Sequence, residues 1–168
     1  AGTTYLYSTN EPEFSFGHGM SYSEFVYTEL TVEPDANAVS FAVTNTGSRR
    51  AAEVAQLYVR RVTPSKVDHP RLKLCGFERV ELDPGETARV RLGIGPDAFT
   101  HWDVRTNRFV VEPGGFEILV GASSTDVRLS DRWDVVGDPL PPRDLRRRTH
   151  ARDFDAQQGV RLVPASRL

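Results

Sequence analysis

Apolar and polar residues alternate with a period of two in several segments of the chain. The clearest is the run from Ala88 to Ile94, in which apolar residues alternate with Arg89, Arg91 and Gly93. Successive side chains of a strand point to opposite faces, so this run predicts a strand with one buried face. Comparable runs occupy residues 39–44, 53–60, 116–120 and 127–135.

Turn signals separate these predicted strands. Asp83-Pro-Gly-Glu86 and Glu112-Pro-Gly-Gly115 both place Pro second and Gly third, which suits a type II turn. Asn45-Thr-Gly-Ser48 is a further turn signal, and no convincing helical stripe appears between residues 25 and 135. About seven short strands spaced in this way predict an all-β, immunoglobulin-like β-sandwich.

An aromatic segment without either periodicity precedes the first strand. It combines four rings with two glycines, which allow positive φ angles or close backbone approach: Phe14, Phe16, His18 and Tyr22, with Gly17 and Gly19. One interpretation is a loop packed on its own domain. The other is a docking strip that ties the chain to a neighbouring domain.

Composition narrows the classes of function. The chain has 168 residues and a formal net charge of −2, which argues against a nucleic-acid binder, and no apolar run is long enough to cross a bilayer. Residues 1–7 lack the features of a signal peptide, and the lone Cys75 leaves the compartment undetermined. The Pro-rich stretch 137–142 and the arginine-rich residues after it predict an irregular C-terminal tail.

Few residues suggest chemistry. The histidines His18, His69, His101 and His150 are far apart, with no Cys or carboxylate at metal-ligand spacing, so we predict no metal site and no cofactor. No nucleophile elbow or phosphate loop is present, and no catalytic residue is predicted. Trp102, flanked by Phe99 and Phe109, is expected to fill the core.

Several motifs, in order along the chain, resemble the C-terminal fibronectin type III-like domain of family 3 glycoside hydrolases, the β-glucosidases and β-xylosidases. Together they cover about residues 14–135. The matching segments are Phe14–Phe25, Val43–Ser48, Ala52–Val59, Leu74–Glu86, Trp102–Asp103 and Glu112–Ser124. Ser15 and Met20 depart from the family's commoner Pro and Leu.

This resemblance implies a division of the chain and a partner. Residues 1–24 would form a linker and docking strip, residues 25–136 a fibronectin type III-like sandwich, and residues 137–168 a C-terminal extension. In such enzymes an Asp nucleophile and usually a Glu acid/base belong to other domains, so this domain would be non-catalytic. Its partners would be the catalytic domains of a retaining β-glycosidase, which it would stabilise.

The resemblance also implies that loops of the domain approach the rim of the active site. The long loop from Val62 to Leu72 is the candidate for that role, through Lys66, Asp68, His69 and Arg71. An oligosaccharide at the rim would then contact these side chains.

Two alternatives remain open. The chain could be an independent carbohydrate-binding module, with Trp102, Tyr58 or Trp133 exposed as stacking platforms. It could also be an immunoglobulin-like protein-interaction module that uses an edge strand or the arginine-rich segment from Arg143 to Arg152.

Overall fold

The computed structural model describes residues 12–65, 69–104 and 106–137. In these ranges nine strands and two short 3₁₀ turns, Pro34–Ala36 and Pro96–Phe99, are found. The strands are β1 (Phe25–Glu33), β2 (Ala38–Asn45), β3 (Ala51–Arg61), β4 (Lys73–Leu82), β5 (Thr87–Gly93), β6 (Thr100–Asp103), β7 (Arg108–Val111), β8 (Gly114–Gly121) and β9 (Val127–Val135). No helix in the described ranges is long and apolar enough to cross a membrane.

Seven of these strands form two antiparallel sheets that pack face to face. One sheet has the order β1-β2-β5 and the other β4-β3-β8-β9, while β6 and β7 pair separately as a two-stranded hairpin. At the margins of the sandwich β1 lies near β9, and β4 near β5. The predicted all-β sandwich is therefore confirmed, and the β6–β7 hairpin is an addition that the sequence did not predict.

The core consists of the inward-facing residues of both sheets. Val39, Phe41 and Val43 of β2 are fully buried, as are Leu57 of β3 and Ile118 of β8. Burying one side chain of this size contributes about 1.5–3 kcal/mol. Strand alternation therefore aligns the apolar positions that the sequence pattern identified, and their burial holds the two sheets together.

Strand β3 is buried on both faces over part of its length. Ala55, Leu57 and Val59 face the core, as their alternation predicted. Tyr58, on the opposite face, is only 1% exposed, and Gln56 beside it only 6%. Other residues therefore cover the outer face of the four-stranded sheet at this point. The aromatic segment supplies part of this cover, because its backbone contacts Gln56 and Tyr58.

A buried asparagine fixes one corner of the sandwich. The Asn45 side chain donates to the carbonyl oxygens of Arg49 at 2.8 Å and Leu82 at 2.9 Å. Its Oδ1 accepts from the Ser23 hydroxyl at 2.7 Å and from the Gly47 amide at 3.0 Å. All four hydrogen-bonding positions of this amide are satisfied, as burial requires.

The two predicted type II turns have different outcomes. At Asp83–Glu86, Gly85 has a φ of +77° and the Glu86 amide donates to the Asp83 carbonyl at 3.0 Å, in agreement with the prediction. The prediction for residues 112–115 is wrong, because Gly114 has a φ of +150° and already begins β8. Its neighbour Gly115 donates instead to the Thr63 hydroxyl at 2.7 Å.

Candidate functional site

The backbone of the aromatic segment is anchored to the four-stranded sheet. The Phe16 carbonyl accepts from the Ser124 amide at 3.0 Å, and the Tyr58 hydroxyl oxygen lies 3.4 Å from it. The next carbonyl, that of Gly17, accepts from Gln56 Nε2 at 3.0 Å. These bonds join residues that are far apart in sequence, so the segment has a defined position on the outer face of the sheet.

Gln56 is the central residue of this anchor. Its Nε2 donates to the Ala122 carbonyl at 2.6 Å as well as to Gly17, and its Oε1 accepts from the Tyr58 hydroxyl at 2.5 Å. Burial raises the pKa of Tyr58 to about 12, so its hydroxyl remains a donor at neutral pH. Sequence reasoning did not identify Gln56; the available signal was a polar residue within the otherwise apolar run Val54–Val59.

The rings of the segment are exposed although its backbone is anchored. Phe14 is 71% exposed, Phe16 52% and Tyr22 98%. The His18 ring is also exposed and lies 5.6 Å from the ring of Phe14, measured between centroids. The segment, residues 14–22, thus presents apolar side chains outward, and it is called the docking strip below.

The two glycines of the strip are not equivalent. Gly17 has a φ of +76°, and a Cβ there would collide with the side-chain oxygen of Gln56. A larger residue would therefore break the anchor. Gly19 has neither a positive φ nor any neighbour within 4 Å of a hypothetical Cβ, so the geometry does not require glycine there.

Charged residues line a cleft of about 840 Å³ beside the strip. Burial raises the pKa of Glu53, and burial together with the charge of Glu53 raises that of Tyr27. Asp126 accepts hydrogen bonds from Arg128 at 2.5 and 2.7 Å, and these bonds lower its pKa. The cleft therefore combines a partly desolvated carboxyl group with an exposed ion pair.

The described part of the predicted rim loop is fixed at both ends. The Val62 amide donates to the Gly115 carbonyl at 3.0 Å, and His69 Nε2 lies 2.9 Å from Glu112 Oε2. Arg71 is exposed, whereas Lys66 and Asp68 lie outside the described residues. The loop is thus attached to the segment that enters β8.

Glu112 receives several contacts at this attachment. Burial would raise its pKa, but hydrogen bonds from Ser65 and His69, with the charge of Arg61, outweigh that effect and lower it. Arg61 Nη2 lies 3.6 Å from Glu112 Oε1, and the Ser65 hydroxyl donates to Oε2 at 2.7 Å. The carboxylate is therefore ionised and held in a defined orientation at neutral pH.

The docking strip and the rim loop border a common groove. Its volume is about 1520 Å³, and Phe14 and Phe16 line it together with His69 and Arg71. Tyr58 also lines this groove. The structure therefore brings two separately predicted sets of residues to the same side of the molecule.

The prediction that Trp102 fills the core is wrong. Trp102 is 47% exposed and packs edge-to-face on Phe109, with ring centroids 5.2 Å apart. These two residues pair across the β6–β7 hairpin, and alternation turns Val110 inward in their place. Phe99 fills the core instead, and its ring centroid lies 5.0 Å from that of Trp133.

Comparison with known domain families agrees with this geometry. Residues 53–124, from β3 to the turn after β8, match the fibronectin type III-like domain. The chain carries a fibronectin type III-like domain. In the structure this match includes both the Gln56 anchor and the Glu112 attachment of the rim loop.

Relatives of this fibronectin type III-like domain are glycosidases. The chain is 39% identical over 127 residues to thermostable β-glucosidase B of Acetivibrio thermocellus, a match covering 72% of this chain and 17% of that protein. It is 38% identical over 129 residues to a xylan 1,4-β-xylosidase of Xylanibacter ruminicola, a match covering 74% of this chain and 15% of that protein. The chain therefore spans less than a fifth of the length of these relatives.

Solved structures agree with the sequence relatives. The crystal structure of a GH3 β-glucosidase from Bifidobacterium adolescentis matches with a TM-score of 0.72 and 34% identity, covering 77% of this chain and 20% of that one. β-Glucosidase 3B of Thermotoga neapolitana, in complex with α-D-glucose, matches with a TM-score of 0.70 and 32% identity. This match covers 79% of the present chain and 19% of the Thermotoga chain. The predicted resemblance to the fibronectin type III-like domain of family 3 glycoside hydrolases is confirmed.

Proposed function

We propose that this chain is the non-catalytic structural domain of a retaining β-glycosidase, and that its docking strip packs on the catalytic domains. The observation that carries this proposal is the contrast between the anchored backbone of the strip and its exposed rings. A loop that served only its own domain would bury Phe16 and Tyr22, which are 52% and 98% exposed. The matches to whole β-glucosidases, of which the domain is a small part, support a larger neighbour.

Docking through the strip would be energetically significant. Phe14, Phe16 and Tyr22 are more than half exposed, and covering them would contribute roughly 3–6 kcal/mol at the usual value for apolar burial. The free energy of unfolding of a whole protein is about 5–15 kcal/mol. Removing this domain from the longer enzyme should therefore lower its melting temperature measurably.

The groove next to the strip supports a role for the loop at the active-site rim. If the strip contacts the catalytic domains, the groove that it shares with His69 and Arg71 faces the same neighbour. We propose that these two residues, with Lys66 and Asp68, contact an oligosaccharide at the rim. Hydrogen-bonding and charged side chains of this kind suit the hydroxyl groups of a sugar.

The test compares the isolated 168-residue chain with the double variant Phe16→Ser/Tyr22→Ser. Association is measured by sedimentation, and the melting temperature by calorimetry. We expect the unmodified chain to associate through the strip, and the double variant to be a monomer of equal or higher melting temperature. A matched control is Phe77→Ser/Phe109→Ser, because both rings are 65% exposed but lie outside the strip.

The opposite result would assign the strip to the core of its own domain. In that case the unmodified chain would be a stable monomer, and the double variant would melt at a markedly lower temperature. If only the control variant loses association, the surface through which the chains associate includes Phe77 or Phe109 and not the strip. Either result would contradict the docking proposal.

The exposed Trp102 favours one second candidate, an independent carbohydrate-binding module. Tyr58 cannot be a stacking platform because it is 1% exposed, and Trp133 is partly buried against Phe99. Sugar binding would therefore depend on Trp102, with Phe109 beside it. A fluorescence titration with β-glucan and xylan oligosaccharides tests this function, and no binding at millimolar concentration would remove it.

The protein-interaction alternative would use an edge strand or the segment from Arg143 to Arg152, and that segment lies outside the described residues.

A further inference from the structure

Two histidines and a glutamate that are separated in sequence meet beside the rim loop. One possible ligand atom each of His69, His101 and Glu112 lies within 4.8 Å of the others. The rings of His69 and His101 are nearly perpendicular, with centroids 5.7 Å apart. His101 comes from β6, Glu112 from the connection between β7 and β8, and His69 from the loop before β4.

We propose that His69, His101 and Glu112 bind a divalent transition-metal ion of the Zn²⁺ class. Two imidazole nitrogens and one carboxylate oxygen are a ligand set that Zn²⁺ accepts, with a water or another donor in the fourth position. Ligands about 2.0–2.2 Å from a tetrahedral ion lie roughly 3.3–3.6 Å apart. His69 Nε2 lies 2.9 Å from Glu112 Oε2, and one ligand atom of each residue lies within 4.8 Å of the others, so small side-chain movements would complete the site.

Neighbouring residues hold the carboxylate in a suitable orientation. Arg61 contacts Oε1 of Glu112, whereas His69 and Ser65 contact Oε2. One carboxylate oxygen is therefore paired with the guanidinium, and the other faces the His69 imidazole. Hydrogen bonds from outer residues commonly orient metal ligands in this way.

Side-chain burial also suits a bound ion. The His69 side chain is 15% exposed and that of Glu112 is 20% exposed, so a metal would be partly shielded while remaining accessible from solvent. The positive charge of Arg61 would repel a bound cation, but the guanidinium also donates hydrogen bonds to backbone carbonyls. Arg61 donates to the carbonyl of Glu112 at 3.2 Å and to that of Pro113 at 2.9 Å.

A bound ion would tie the rim loop to the β6–β7 hairpin. At present His69 connects the loop to Glu112, and a metal would add His101 as a further point of attachment. The site does not depend on the proposed function, because its ligands all come from this chain. If the domain does sit against an active site, the metal would also fix the loop that forms the rim.

The test is a titration of the 168-residue chain with Zn²⁺, and separately with Co²⁺, whose visible absorption reports tetrahedral coordination. We expect one Zn²⁺ to bind per chain and to raise the melting temperature. A chelator should remove the ion and return the melting temperature to that of the metal-free chain. His101→Gln should weaken binding by about tenfold or more, since even outer-shell changes cost about 10–100-fold. Glu112→Gln, which retains an acceptor for Ser65, should do the same.

His18→Gln is the matched control, because His18 is exposed in the strip and far in sequence from the cluster. It should bind Zn²⁺ as the unmodified chain does. Circular dichroism of each variant verifies that the sandwich is intact. The proposal is overturned if no stoichiometric binding occurs, or if folded His101→Gln and Glu112→Gln bind with unchanged affinity.

Discussion

Replacing Gln56 by Ala tests whether one side chain anchors the docking strip. The substitution removes three hydrogen bonds, to the Gly17 carbonyl, the Ala122 carbonyl and the Tyr58 hydroxyl. Each contributes about 1 kcal/mol net, and a buried carbonyl left without a partner adds to the cost. Because the Gly17 carbonyl can reach water once the strip lifts away, we expect a total loss of about 2–3 kcal/mol.

Two measurements separate local from global effects. Urea denaturation gives the change in the free energy of unfolding. Hydrogen exchange at the Ser124 amide, which donates to the Phe16 carbonyl, reports on the strip itself. If about 2 kcal/mol of anchoring is lost, this amide should exchange about thirtyfold faster where local opening governs exchange.

The matched control is Thr44→Ala, which removes only an exposed hydrogen bond between Thr44 and Thr87 on the other sheet. It should change the stability by less than about 0.5 kcal/mol and leave Ser124 exchange unchanged. An unchanged urea midpoint and unchanged Ser124 exchange in Gln56→Ala would refute the anchoring argument. Equal acceleration in both variants would show that the exchange reports general destabilisation instead.

Three further predictions concern the rest of the domain. Asn45→Ala should lower the free energy of unfolding by about 3 kcal/mol in a urea melt, because four satisfied hydrogen bonds are lost; a loss below about 1 kcal/mol would contradict this. Burial raises the pKa of Cys75 to about 12, so alkylation near pH 8 should be at least about tenfold slower in the folded than in the unfolded chain; similar rates would contradict it. Hydrogen bonds from Arg128 lower the pKa of Asp126, so the stability that this pair contributes is present above the ordinary pKa of 3.8 and is lost as the pH falls further. Because both side chains are nearly half exposed, Asp126→Asn should change the acid limb of a pH–stability curve by well under 1 kcal/mol, and a larger change would contradict the assignment.

The sandwich could be predicted because its strands follow a local rule. In β5, Val90 and Leu92 are buried while Arg89 and Arg91 are exposed, which is the alternation that the sequence displays. The Gly85 turn is equally local, since Pro and Gly fix its backbone angles. Such features depend on residues that are adjacent in sequence, so they can be identified without knowing the tertiary contacts.

Trp102 could not be placed in this way. Its apolar neighbours favoured burial, but its orientation depends on the β6–β7 hairpin, which lies outside both main sheets. A shift of one residue in register would have turned Trp102 inward and Val110 outward. The aromatic neighbours of Trp102 therefore predicted burial, whereas the strand and its exposed face depend on packing that the sequence does not display.

The candidate sites depend even more on contacts between distant residues. His69 and Glu112 are 43 positions apart, and Gln56 and Gly17 are 39 apart. Spacing along the chain is informative for metal ligands on one helix or hairpin, but these residues come from separate loops and strands. The spacing of the histidines along the chain therefore predicts no metal site, although the fold brings His69 and His101 together.

The docking strip shows why an aromatic segment can be recognised before its role is known. Four rings in nine residues exceed what a solvated linker needs, so the sequence indicates that they are to be covered. It does not indicate whether the cover comes from the same domain or from another. The hydrogen bonds of Gln56 and Ser124 decide the orientation, because they fix the backbone against the sheet and leave the side chains outside. A surface that is ordered by its own domain and apolar toward solvent loses little conformational entropy when a partner covers it, which is the property expected of a docking surface.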